Sequence, residues 1–301
     1  MREVASVIGM FLIVQLLGLY VGAVMIDNVS EPEFAEMNVA PMKESGDPLN
    51  SLYFIFIVIM GAAFLIFLIR VYRGVFLFKL LEATIIFVAS NIVLFAIFYS
   101  IDLPFYDLWA FLGAISLAIL KFYRPRLKNL AAVISSAGVG AIFGFSLNII
   151  PAMLFIICLS LYDFFAVFYT KHMVTMAREL GKRNLSFSVS VESTRKRRAK
   201  PSEIKAAEKR HEKPKKFIEE RMHLELGTGD MAIPLMLSVS AYRFGGLWYS
   251  SAVCIGACVG LYFVLDYVFK RKSFLPALPP ISFGALIMLG FAWMISNLFS
   301  L

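Results

Sequence analysis

The chain has 301 residues, 59% of them hydrophobic, and a mean hydropathy of +0.77. Water-soluble domains run at about 45–50% apolar, so this composition excludes an ordinary soluble enzyme and reads as an integral membrane protein. The formal net charge is +8, and it is concentrated in one stretch: residues 171–226 hold sixteen Lys or Arg against eight Asp or Glu.

A membrane-spanning helix needs about 20 mostly apolar residues. The sequence holds nine such runs, near 5–25, 51–69, 80–101, 104–120, 129–149, 151–170, 229–245, 247–268 and 276–299. The fold class is therefore all-α and polytopic. The first run follows Met1-Arg2-Glu3 with little basic lead, and Val21-Gly22-Ala23 is a poor cleavage site, so it reads as a retained helix. Leu130 to Thr170 is too long for one span, and Asn148 to Pro151 supplies the break for a tight hairpin. Asp107 and Arg243 shorten the uncharged cores of spans four and seven.

The connections alternate in charge. Residues 26–50 carry six acidic side chains and Lys43 alone as a base; Arg70 and Arg73 mark the next turn. Asp102 and Asp107 flank the third connection, while Lys121, Arg124, Arg126 and Lys128 crowd the fourth. The last reads Lys270-Arg271-Lys272. Cytoplasmic loops carry the Lys/Arg excess, which puts the N-terminus in the cytoplasm and the C-terminus outside. The chain then divides into helices one to six (1–170), a basic cytoplasmic loop (171–226) and helices seven to nine (227–301). The loop reads as a solvated, partly disordered linker, with a short helix near 202–210 capped by Ser202. Its Arg195-Lys196-Arg197-Arg198 run suits contact with anionic lipid head groups; nothing in it supports nucleic-acid binding.

Cys158, Cys254 and Cys258 all fall within spans and read as small buried hydrophobes. His172, His211 and His223 share the basic loop without metal-ligand spacing. Asp266 and Lys270, and likewise Lys79 and Glu82, read as local helical ion pairs. Gln15 and Asn91 suit hydrogen bonds between helices. Gly140-x-x-x-Gly144 and Gly256-x-x-x-Gly260 suit close packing inside the bundle.

Two carboxylates remain. Asp163 lies late in span six, roughly 10 Å below its cytoplasmic end at about 1.5 Å per residue. Asp230 lies at the start of span seven, in Gly227-Thr228-Gly229-Asp230. An ionisable residue inside a span is costly and marks function by default. Antiparallel spans bring these two to matching depth. Two carboxylates sharing a low-dielectric site hold one proton between them. The ionised member then draws a proton from water while the protonated one donates to a carbonyl, so hydrolysis requires neither metal nor cofactor. Gly227 and Gly229 allow close approach of backbone and substrate, and Pro234 frees a carbonyl in the first turns. Pro276-Ala277-Leu278 opens span nine at the same depth, and Pro279-Pro280 argues against a regular helical start there.

Tyr162-Asp163, Gly227-Thr228-Gly229-Asp230 and Pro276-Ala277-Leu278, in this order on spans six, seven and nine, resemble the presenilin and signal peptide peptidase superfamily, and most of all its microbial presenilin homologues. The resemblance implies an intramembrane aspartyl protease of the cell membrane acting on single-span transmembrane proteins in the bilayer. It implies Asp163 and Asp230 as catalytic residues, with Tyr162, Gly227, Thr228, Gly229, Pro276, Ala277 and Leu278 shaping the site. Two other readings fit parts of the pattern. A prepilin-type peptidase also uses a Gly-x-Gly-Asp aspartate, but cuts near the membrane surface with fewer spans. A proton or cation transporter or channel would also pair acids in the membrane, but this sequence shows no internal repeat or matched broken spans.

Overall fold

The computed structural model describes residues 2–39, 47–72, 74, 76–124, 127–168, 188–198, 217–271 and 276–299. In chain order the elements are α1 (Arg2–Asp27), α2 (Pro32–Ala35), α3 (Leu49–Val71), α4 (Phe76–Ser100), α5 (Tyr106–Tyr123), α6 (Lys128–Ser146), α7 (Ile149–Phe168), β1 (Ser188–Arg198), β2 (Phe217–Gly227), α8 (Thr228–Arg271) and α9 (Leu278–Phe299). Seven helices among the described residues are long and apolar enough to cross a bilayer. One of them, α8, runs for 44 residues and holds two spans, and α3 adds a further helix of 23 residues. The count thus agrees with the nine spans read from the sequence.

The division of α8 falls at Gly245 and Gly246, where the backbone leaves helical geometry. Gly246 has φ +71° and ψ −158°, a conformation open to glycine and strained for residues with a Cβ. Segments 228–244 and 247–271 therefore reverse direction without a loop. The α6–α7 hairpin turns at Leu147–Asn148, where the Asn148–Pro151 break was expected.

Side chains tie one end of the bundle together. Tyr242 donates to Asp27, and Tyr106 donates to Glu33 at 3.0 Å. Phe34 of α2 is fully buried there among Phe95 and Tyr99, edge to face. Arg243, which shortens span seven on paper, donates to Asn148 Oδ1 at 3.1 Å and to the Phe145 carbonyl at 2.6 Å. It fastens the α6–α7 turn. Asp163, Asp230 and Leu278 lie at the opposite end.

The centre is built from α1, α6 and the first half of α8. Gly140 and Gly144 of α6 lie so close to α8 that a Cβ would meet the Ala232 and Met236 carbonyls. Gly256 and Gly260 receive α9 in the same way. Both glycine pairs pack within this chain, as their spacing implied. Gln15 is fully buried and donates from α1 to the Met231 carbonyl at 3.0 Å.

Three expectations are corrected. Glu82 pairs with Lys121 across the α4–α5 interface, where local spacing pointed to Lys79. Both side chains are buried, and α5 presents a cation from outside the helix that local spacing considers. Asn91 has a buried Oδ1 without a hydrogen-bond partner among the described residues. Residues 188–198 and 217–227, read as parts of a solvated linker, instead pair antiparallel from Ser188–Gly227 to Arg198–Phe217. Backbone ladder bonds satisfy polar groups whatever the side-chain charge. The helix expected at 202–210 and the positions of His172 and His211 lie outside the described residues, as do the side chains of Lys270 and His223. Asp266 is engaged in a contact of its own.

Candidate active site

Three helices converge on the two aspartates: α7 carries Asp163, α8 begins with Asp230 in its first turn, and α9 begins at Leu278. Each helix packs against the other two. Asp163 is 8% exposed, and its carboxylate accepts a hydrogen bond from the backbone N–H of Leu278. Asp230 accepts one from the backbone N–H of Gly227 and lies within electrostatic reach of Asp163.

Both acids are therefore held at helix N-termini, where N–H groups lack helical partners and the macrodipole favours negative charge. For Asp230 the device is local. Gly227 precedes the helix and Asp230 is its third residue, so the carboxylate reaches back to the capping position as an N3 acid does in a capping box. For Asp163 the device is tertiary, because the N–H comes from another helix.

The Pro279-Pro280 pair corrects another expectation. It does not prevent a regular start: α9 is helical from Leu278, with both prolines in its first turn. Proline is tolerated there because the missing N–H would have had no helical partner, and its φ already suits the helix. The Ile281 N–H bonds the Ala277 carbonyl. Of the opening N–H groups of α9, only that of Leu278 remains to serve Asp163.

The other residues singled out by sequence divide into two groups. Leu278 and Pro276 are buried, and Ala277 and Thr228 are half-buried beside them. Gly227 touches Asp230: a Cβ there would lie 3.1 Å from Oδ2. Gly229 is exposed, and a Cβ there would meet nothing within 4 Å. Tyr162 packs against the main core cluster and makes no hydrogen bond to either carboxylate among the described residues. Successive helical residues point to different faces, so the neighbour of Asp163 is turned from it.

Sequence reasoning missed two supports. Ser238 donates to the Pro234 carbonyl at 3.2 Å, and the Cys254 thiol lies 3.3 Å from Ser238 Oγ and 3.9 Å from Gln15 Oε1. Cys254 is thus part of a polar link behind Asp230 rather than only a small hydrophobe. Gly284 was also missed. It faces Gly256 so closely that each would drive a Cβ into the other's carbonyl. Its spacing of four from Pro280, which meets Gly260 on the same face, was the available signal. Among the described residues no cluster of His, Cys, Asp and Glu has the make-up of a metal site.

Residues 8–300 match the family model described as signal-peptide peptidase, presenilin aspartyl protease. No curated protein matches the chain. Among solved structures, the chain is similar to a presenilin family intramembrane aspartate protease crystallised in C222, with TM-score 0.67 and 22% identity, over 97% of this chain and 99% of that one. A P2 crystal structure bearing the same description gives TM-score 0.60 and 22% identity, over 94% and 96%. At that identity the structural likeness speaks for the fold, and the family match over nearly the whole length speaks for descent. The chain belongs to the signal-peptide peptidase and presenilin family of aspartyl proteases, as a multi-pass integral membrane protein.

Proposed function

We propose that this protease hydrolyses peptide bonds within transmembrane helices of single-span substrate proteins, with Asp163 and Asp230 acting together on a bound water. The observation that carries the reading is the convergence of the two carboxylates, each held by a backbone N–H at a helix N-terminus. A dyad sharing one proton takes a proton from water with its ionised member. The water oxygen attacks the scissile carbonyl carbon while the protonated member donates to the carbonyl oxygen. Collapse of the tetrahedral species breaks the C–N bond, and the amine leaves with a proton from the dyad. The apparent pKa values belong to the pair.

A helical peptide bond is shielded by its own turns, so the substrate unwinds locally before reaction. Two features support an extended substrate beside the dyad. β2 ends at Gly227, directly before the helix of Asp230, and a two-stranded ribbon leaves strand edges for pairing. The open space at Gly229 leaves room for a neighbouring backbone. Pro276, Ala277 and Leu278 form the wall opposite, with Thr228 and Gly227 at the mouth and Tyr162 behind. By the loop charges the dyad sits in the cytoplasmic half of the bilayer, with the N-terminus inside.

The test is cleavage of a detergent-solubilised single-span substrate by wild type, Asp163→Asn and Asp230→Asn, with products identified by mass spectrometry. Cuts inside the hydrophobic span, lost in both variants, are expected. Substantial residual activity in either variant would refute the dyad. Cuts confined to the membrane border would instead favour peptidase action of the prepilin type.

A further inference from the structure

At the end of the bundle away from the aspartates, a cavity of about 330 Å³ opens between the start of α7 and the end of the first half of α8. Its wall contains Arg243, a cation within a membrane-spanning helix. The guanidinium is met only by neutral groups among the described residues: Asn148 Oδ1, the Phe145 carbonyl and the Phe145 ring. Asp27 and Glu33, two of the carboxylates at this end, accept hydrogen bonds from Tyr242 and Tyr106. A half-buried cation without an anion is partly desolvated and uncompensated, and the fork of N–H donors is suited to phosphate.

Two further features face the same cavity. Ser240 is fully buried, and its Oγ has no hydrogen-bond partner among the described residues. An unsatisfied buried hydroxyl calls for a ligand or water. The cavity also takes in the N-terminus of α7, with Asn148, Ile149 and Ile150 on its wall, and the first N–H groups of a helix have no intrahelical acceptor. A helix start with free N–H groups is a ready anion site. The guanidinium, the hydroxyl and the helix N-terminus converge from two helices on one space.

The rest of the lining is apolar, and it continues onto the outside of the bundle. Ile150 and Phe244 are largely exposed, as are Leu247 and Trp248 beyond the α8 kink. A free ion would leave this surface unused, whereas an acyl chain would cover it. Taking about 30 Å³ per water, the cavity holds roughly ten waters, ample room for a phosphate and part of its glycerol. We infer that this cavity binds the phosphate of a phospholipid, with Arg243 and Ser240 on the phosphate oxygens and the acyl chains along Ile150 and Phe244.

The experiment is native mass spectrometry of the full chain in detergent, titrated with phosphatidylglycerol, with and without competing inorganic phosphate. Wild type is expected to hold one tight lipid. Arg243→Gln is expected to weaken that binding about tenfold or more, the loss that goes with a hydrogen bond to a charged group. Arg243 also fastens the α6–α7 turn, so Ser240→Ala is the decisive second variant. It removes an unbonded hydroxyl, leaves folding intact, and is expected to weaken binding about threefold. Lipid binding unchanged in well-folded Ser240→Ala and Arg243→Gln would belong to the basic loop and overturn the proposal. Binding of inorganic phosphate with no lipid lost in the variants would assign the site to a free ion and overturn it equally.

Discussion

The backbone N–H of Leu278 donates to the carboxylate of Asp163, and the two prolines that follow Leu278 leave no second N–H in that helical turn to do so. The Pro-Ala-Leu segment thereby acts on the aspartate through its main chain. Two substitutions separate main chain from side chain. Leu278→Ala keeps the N–H and empties a buried position; Leu278→Pro also removes the N–H, at a helix position whose φ proline already fits. We expect turnover of Leu278→Pro to fall about tenfold or more below that of Leu278→Ala, since a hydrogen bond to a charged group contributes about 1.5–3 kcal/mol. Equal turnover of the two, measured per folded molecule, would show that the side chain alone matters.

The two glycines around Thr228 make opposite predictions. Gly227→Ala places a Cβ against Asp230 Oδ2 and is expected to lower kcat by displacing that carboxylate. Gly229→Ala meets nothing in this chain and lies in the first turn of α8. Alanine is favoured over glycine in a helix by up to about 1 kcal/mol, so thermal stability should hold or rise. Cleavage should nevertheless fall, chiefly through KM, if substrate backbone occupies that space. Unchanged KM and kcat would place the substrate elsewhere.

These contrasts also mark how far the sequence could be read. Asp163 and Asp230 were legible because a charge inside an apolar run is conspicuous, and because the alternation of loop charges led to the expectation of one shared depth. The division near residue 246 was legible as the boundary between two apolar runs, and the hairpin at Asn148 as turn residues inside a run too long for one span. The partner of Glu82 was not, because Lys79 is near in sequence whereas Lys121 is near only after α4 and α5 pack. Pro279-Pro280 misled because proline opposes helix interiors but is accepted in a first turn, and sequence alone did not locate that turn. The ribbon of 188–198 and 217–227 was hidden by charge, which reports solvation and not backbone pairing. Arg243 read as a defect in a span; its acceptors are the Phe145 carbonyl on α6 and Asn148 in the α6–α7 turn, near it only after the helices pack.

Gln15 joins α1 to the Met231 carbonyl, next to Asp230, and is fully buried. Gln15→Leu keeps the apolar volume and removes the donor. Hydrogen bonds between membrane helices contribute about 0.6 kcal/mol on average, with a maximum near 1.7, so a small loss of thermal stability is expected. Activity should fall by more than that loss explains, because the first turns of α8 already lack the N–H that Pro234 cannot supply. A drop in stability with full activity per folded molecule would confine Gln15 to packing.

Gly256 and Gly284 let α8 and α9 meet backbone to backbone. Close approach of this kind is how small residues drive helix association in lipid. Gly284→Val forces α9 outward and carries Leu278 away from Asp163. We expect loss of cleavage with the rest of the bundle retained, seen as normal expression and an unchanged helical circular dichroism signal. Full activity in Gly284→Val would mean that α9 can shift without disturbing the Leu278–Asp163 contact.

The buried pair of Glu82 and Lys121 serves as the control for these variants, since α4 and α5 lie outside the group of helices that holds the aspartates. Removing one partner of a buried ion pair typically costs about 3–5 kcal/mol, because the other charge is left uncompensated, whereas replacing both with apolar groups is often neutral. Glu82→Gln is therefore expected to lower the Tm markedly, and Glu82→Leu combined with Lys121→Met to recover most of it. Cleavage per folded molecule should stay at the wild-type level in the double variant. If the double variant were stable but inactive, the α4–α5 interface would have to communicate with the dyad, and its role would be more than holding two helices together.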